Sequence, residues 1–184
     1  MKTAITGGIG TGKSYVCSLL KERGVQVYDC DDAAKRLIRT SPQLRQMLTE
    51  LIGEGTYTEN GELNKARVSE FLLQSPANQQ RINAIVHPAV ASDFKASGYE
   101  WMECAILFES GFNKLVDRVV CVTAPIDVRL SRIMHRDGIS KEQAQQWINC
   151  QMDADEVARQ SDVVIINDGN RALNEDIDRI IKTK

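Results

Sequence analysis

Apolar positions along this chain change their period several times, and each change marks an element. "TAIT" (3–6) and "VQVYD" (25–29) are short apolar runs of strand length. Between them, "KSYVCSLLKER" puts Val16, Leu19 and Leu20 on one face of a helix, with Gly24 set to end it. "DDAAKRLIR" is helical, with Asp31 or Asp32 at its N-terminus. From about residue 40 to 95 the pattern is helical only. Ser41-Pro42 opens a helix that Gly53 stops, "TENGEL" is a turn, and "NKARVSEFLL" and "PANQQRINAIV" are two more helices. The second is expected to end where it meets Pro88.

Strands return from about Tyr99. "YEWMECAILFE" holds an apolar run expected to be buried on both sides, and "RVVCVTA" is another. "IDVRLSRIMHR" and "SKEQAQQWINCQ" are helices, the latter opened by a Ser140/Gln143 capping box. "SDVVIIN" is the last strand and "RALNEDIDRIIK" the closing helix. Alternating helices and continuously apolar strands predict a parallel α/β sheet covered by helices, with the all-helical stretch inserted beside it.

Composition narrows the setting. The 184 residues fit one domain with a smaller insertion. A net charge of -2 gives no general attraction to nucleic acid or an anionic membrane, so neither is an expected partner. No apolar run reaches membrane-spanning length. The start, "MKTAITGG", enters a strand at once, so no secretion signal and a cytoplasmic location are expected. The five cysteines are odd in number and lack C-x-x-C spacing. They are expected to be buried or partly buried free thiols rather than disulfides or metal ligands.

The chemistry begins at Gly7–Ser14, which reads G-x-x-x-x-G-K-S between a strand and a helix. Glycines such as Gly8, Gly10 and Gly12 let such a loop wrap closely, so that backbone N–H groups point at phosphate oxygens. The helix N-terminus adds partial positive charge. Lys13 is placed to reach the β- and γ-phosphates, and Ser14 to ligate Mg²⁺. Thr11 and Tyr15 are expected to contribute mainly backbone N–H groups. Such a loop serves switches, motors and kinases. The nearest guanine-reading string, "NKLVD" (113–117), is one residue too long, and no Asp is followed three positions later by Gly. A motor usually comes with more chain, so a small kinase remains.

A kinase needs an acceptor base. "VYDCDDAAKR" supplies Asp29, Asp31 and Asp32 at the carboxyl end of the second strand, the edge where open α/β sheets bind ligands. Helix capping is the competing role for Asp31 and Asp32. "VRLSRIMHRDG" carries Arg129, Arg132 and Arg136 on one helix, with Arg132 and Arg136 four apart on one face, where an anion between them would relieve their repulsion. A helical hairpin there could close over a nucleotide and exclude water.

Together these pieces resemble the dephospho-CoA kinases over nearly the full length. "TGGIGTGKS" is similar to that family's opening loop, "DCDDAAK" to its D-A-D-x-x-A-R element, "INAIVHP" to its His-Pro segment and "AILFES" to its P-L-L-F-E strand. "RLSRIMHRDGIS" is similar to its lid, and "CQM…SDVVIINDG" to its closing pattern. The resemblance implies a P-loop NTPase three-layer α/β fold with a five-stranded parallel sheet. Residues 1–30, 99–126 and 160–184 would form the nucleotide-binding core, 31–98 a helical CoA-side subdomain and 127–159 a lid. It implies transfer of the γ-phosphoryl of ATP, with Mg²⁺, to the ribose 3′-hydroxyl of dephospho-CoA, and no obligate protein partner.

By the same resemblance Asp31 looks like the base, Lys13 the phosphate clamp, Arg136 the lid arginine at the transferring group and Arg132 a second lid candidate. Asn167 and Gly169 fall where the family approaches adenine. Lys35 and His87 fall on the substrate side. The chain departs from the family pattern at Ala105 (usually Pro), Tyr15 (commonly Thr) and Lys35 (often Arg), and at Trp147 and Val157, which are often basic. A kinase of a nucleotide or nucleoside, and a nucleotide-binding regulatory module, are the alternatives.

Overall fold

The computed structural model describes residues 1–170 and 172–183. Two compact units emerge, one formed by Met1–Asp29 with Tyr99–Lys184, the other by Cys30–Gly98.

The first unit is built on five parallel strands: β1 (Thr3–Thr6), β2 (Val27–Asp29), β3 (Trp101–Glu103), β4 (Arg118–Thr123) and β5 (Val163–Ile166). They pair in the order β2-β3-β1-β4-β5. This is the three-layer P-loop NTPase arrangement, with β1 in the centre. Its helices are α1 (Lys13–Glu22), then α6 (Ile126–Asp137), α7 (Lys141–Asn149), α8 (Ala154–Arg159) and α9 (Asn174–Lys182), those numbered α2–α5 lying in the other unit. Ile5, Val120, Val122 and Ile165 of the sheet pack with Val16 and Leu20 of α1 and Ile177 of α9. Each such side chain, removed from water, contributes about 1.5–3 kcal/mol.

Several elements differ from the sequence pattern. The "AILFE" run is not strand: β3 stops at Glu103, and residues 105–111 form turns that still bury Leu107. A short apolar run fits a buried turn as well as a strand. β5 is an edge strand with Val164 and Ile166 exposed, so its apolar run is not covered on both faces. The short α8, capped by Asp153 on the N–H groups of Asp155 and Glu156, carries too few residues for a visible period. Arg171, expected to begin the closing helix, lies outside the described residues.

The second unit contains α2 (Cys30–Thr40), α3 (Pro42–Ile52), α4 (Lys65–Gln74) and α5 (Ala77–Ser97). Ser41 caps α3 by accepting from Leu44 N, and Asn64 caps α4 by accepting from Arg67 N. α5 corrects the expectation that it would end at Pro88, for it runs through the proline to Ser97. Val86, Val90 and Phe94 continue one buried stripe across it, so packing outweighs the lost backbone hydrogen bond. Gly98, at φ 75°, then ends the helix.

Four cysteines are buried free thiols, as expected, whereas Cys150 is exposed at the end of α7. Among the described residues no helix is long and apolar enough to cross a membrane.

Candidate active site

The loop between β1 and α1 starts where the strand meets its neighbours. At Gly7 the backbone takes φ 143°, and a Cβ there would run into the Val122 carbonyl of β4. At Gly12, φ is 90° and a Cβ would strike the side-chain amide of Asn167. Only glycine lets the chain pass so close to β4 and to the end of β5. Thr11 is buried and turns its hydroxyl inward, donating to Gly8 O at 2.9 Å. The Lys13 ammonium lies 3.4 Å from the same carbonyl. Ser14 is exposed in the first turn of α1. The Tyr15 N–H is already used, donating to Gly12 O at 3.1 Å. Among the described residues no hydrogen bond is made by the N–H groups of Gly10, Gly12 or Ser14. A glycine cradle with unused donors at a helix N-terminus fits a phosphate group.

The loop is held from outside by side chains far away in sequence. Arg132, on α6, donates to the carbonyls of Gly10 (3.2 Å) and Thr11 (3.3 Å) and to Asn167 Oδ1 (3.3 Å). Asn167 is buried just after β5 and donates to Thr11 O at 2.9 Å. Gly169 follows at φ 84°, where a Cβ would come to 3.5 Å from the Arg132 guanidinium. Arg132, Asn167 and Gly169 therefore lie together beside the loop. Arg129 donates from Nε to Ile9 O at 2.9 Å, and Gln151 accepts the Ile9 N–H at 2.7 Å. Neither contact is legible in the sequence, where 120 and 142 residues separate the partners.

Arg136 stands one turn beyond Arg132 and grips Asp137, with Nη2 2.7 Å from Oδ2. That bond holds its guanidinium above the usual arginine range. Two positions noted as basic in relatives behave differently: Trp147 is exposed and Val157 buried.

Sequence reasoning also passed over Glu103. It ends β3, opposite Ile5 of β1 on one side and Asp29 of β2 on the other. Burial first, then this neighbouring carboxylate, which accepts the thiol's hydrogen bond, keep the Cys17 thiol far above its ordinary range. Its place at the carboxyl end of β3, beside the loop strand, emerges only from the sheet pairing, because the sequence pattern carries the strand past Glu103.

In the helical unit, Asp31 is exposed in the first turn of α2. Lys35 pairs with Asp32 at 3.1 Å, and Arg36, the neighbouring cation, pairs with Asp93 of α5 at 2.6 Å. His87 is half-buried in α5, and burial lowers its pKa.

The profile of the family described as "Dephospho-CoA kinase" matches residues 1–172. The chain belongs to the dephospho-CoA kinase family. The dephospho-CoA kinase of Bacteroides fragilis is 40% identical over 184 residues, covering 94% of this chain and 87% of that protein. That of Geobacillus kaustophilus is 34% identical, covering 91% and 88%. Among solved structures, a Thermus thermophilus protein superposes with a TM-score of 0.79 at 28% identity, covering 99% of this chain and 94% of that one. A shikimate kinase from Acinetobacter baumannii, at 15% identity and a TM-score of 0.60, shares the fold. The loop and its outer braces all lie in the sheet unit of this chain.

Proposed function

We propose that the chain transfers the γ-phosphoryl group of ATP to the ribose 3′-hydroxyl of dephospho-CoA, with Asp31 accepting the hydroxyl proton. Family membership makes it an ATP-dependent kinase that converts dephospho-CoA to coenzyme A. The match along nearly the whole chain carries this reading, because the loop alone is common to many enzymes.

The loop N–H groups of Gly10, Gly12 and Ser14 bind phosphate oxygens, and Lys13 leaves the Gly8 carbonyl for the β- and γ-phosphates. Gly8, Thr11 and Tyr15 shape the loop around them. Asn167 and Gly169 border the adenine, and Arg132 serves as a second lid arginine. Arg136, released from Asp137, neutralises charge on the group in transfer. Asp31 orients and deprotonates the acceptor hydroxyl, while Lys35 and His87 bind the CoA side. Mg²⁺ supplied with ATP would offset charge on the phosphates, and its protein partners would be the Ser14 hydroxyl and, through water, Glu103. Among the described residues no three His, Cys, Asp or Glu side chains gather as a metal cage.

Phosphorus NMR of the product tests the position of transfer. The reading predicts a new monoester on the ribose 3′ carbon. Phosphate on the 2′ carbon or on the pantetheine arm would contradict it.

A further inference from the structure

The Ile9 backbone is gripped on both sides. Its carbonyl accepts from Arg129 Nε at 2.9 Å and its N–H donates to Gln151 Oε1 at 2.7 Å. Its side chain packs on Leu130 and Ile133 of α6 and Ala144 of α7. Arg129 belongs to α6, and Gln151 to the connection between α7 and α8. One loop residue is thus fastened to the helical hairpin through both backbone groups and its side chain.

Arg129 is an expensive residue to place there. It is 5% exposed, and among the described residues no carboxylate lies within ion-pairing distance of it. Burial accordingly lowers its pKa. A buried guanidinium without a counter-charge opposes folding, and an apolar side chain of like volume would serve stability better. It borders a cavity of about 530 Å³ shared with Gln145, Asn149 and Gln151, roomy enough for water to reach its remaining N–H groups. Its guanidinium also lies against Gly8, and its direct hydrogen bond is to the Ile9 carbonyl.

We propose that Arg129 and Gln151 are positioning residues for ATP. They fix the Ile9 backbone so that the next N–H groups of the loop stay aimed at phosphate, and they tie that aim to the α6–α7 hairpin. The Ile9 N–H, taken by Gln151, is then not a phosphate donor. The hydrogen bond of Arg129 does the positioning, not its charge. This inference rests on the reading of the loop as an ATP site.

The experiment measures Mg²⁺-ATP affinity by calorimetry, with steady-state kinetics beside it, for R129M, R129Q, Q151L and the double variant R129M/Q151L. Glutamine places a neutral N–H donor at the depth of arginine Nε. Each of R129M and Q151L is expected to weaken ATP about 10-fold while the KM for dephospho-CoA stays within about 2-fold. R129Q is expected to recover most of the affinity. The double variant is expected to lose less than the product of the two single losses, because both hold the backbone of one residue. Multiplicative losses, equal rises in both KM values, or an R129Q as weak as R129M would overturn the proposal. Should R129M not fold, R129Q and Q151L still decide it. Failure of the unmodified protein to bind ATP would instead refute the reading of the loop.

Discussion

The side-chain amide of Asn167 donates to the carbonyl of Thr11 at 2.9 Å, joining the end of β5 to the phosphate loop across 156 residues of sequence. The same side chain accepts from Arg132. Asn167→Leu keeps the branched shape and removes both bonds, leaving the Thr11 carbonyl only its longer bond from Arg132. The KM for ATP should rise about 10-fold with kcat little changed. A variant with unaltered ATP affinity would show that the loop keeps its shape without this brace.

Gly12 sits directly beneath that amide at φ 90°. Gly12→Ala adds a methyl group where Asn167 already stands and demands a backbone conformation alanine rarely adopts. ATP affinity should drop at least about 10-fold while the far-ultraviolet circular dichroism is retained. Normal binding by this variant would mean that the loop can open toward β5 at little cost.

Asp31 separates chemistry from binding. Asp31→Asn should leave the dissociation constant for ATP within about 2-fold and lower kcat by about 100-fold or more. If turnover persists near its original rate, Asp31 serves α2 as a first-turn acid and nothing else.

Some of this was plain in the residues and some was not, for physical reasons. The loop, the strand before it and α1 were legible because glycine spacing, Lys13-Ser14 and the flanking apolar periods are all local. So were the caps at Ser41 and Ser140, whose side chains reach a backbone N–H three residues on. The course of α5 was not, because Pro88 is a local stop signal that the distant packing of Val90 and Phe94 overrides. The end of β3 at Glu103 was hidden by apolar residues that continue into buried turns. The bonds of Arg129 and Gln151 to Ile9 were hidden because that partner lies near the other end of the chain.

Alkaline pH should destabilise the fold through its buried thiols. Burial pushes the Cys121 thiol from 9.0 up to about 11, with Lys13 and Arg129 opposing, and Cys17 shifts in the same direction. The unfolded chain therefore loses these protons near pH 9 while the folded chain keeps them. Stability held below pH 9 is lost as pH rises toward 11, by about 1.4 kcal/mol per pH unit for each thiol. Thermal unfolding from pH 7.5 to 10.5 checks this against Cys121→Ala, whose curve should fall less steeply. Parallel curves would assign the loss to other groups.

The most direct measurement of the central claim is ADP release from Mg²⁺-ATP, with and without dephospho-CoA, beside AMP, CMP and adenosine as rival acceptors. Strong stimulation by dephospho-CoA alone is predicted. Stimulation by a small nucleotide or nucleoside instead, or ATP binding with no acceptor-dependent turnover, would contradict it.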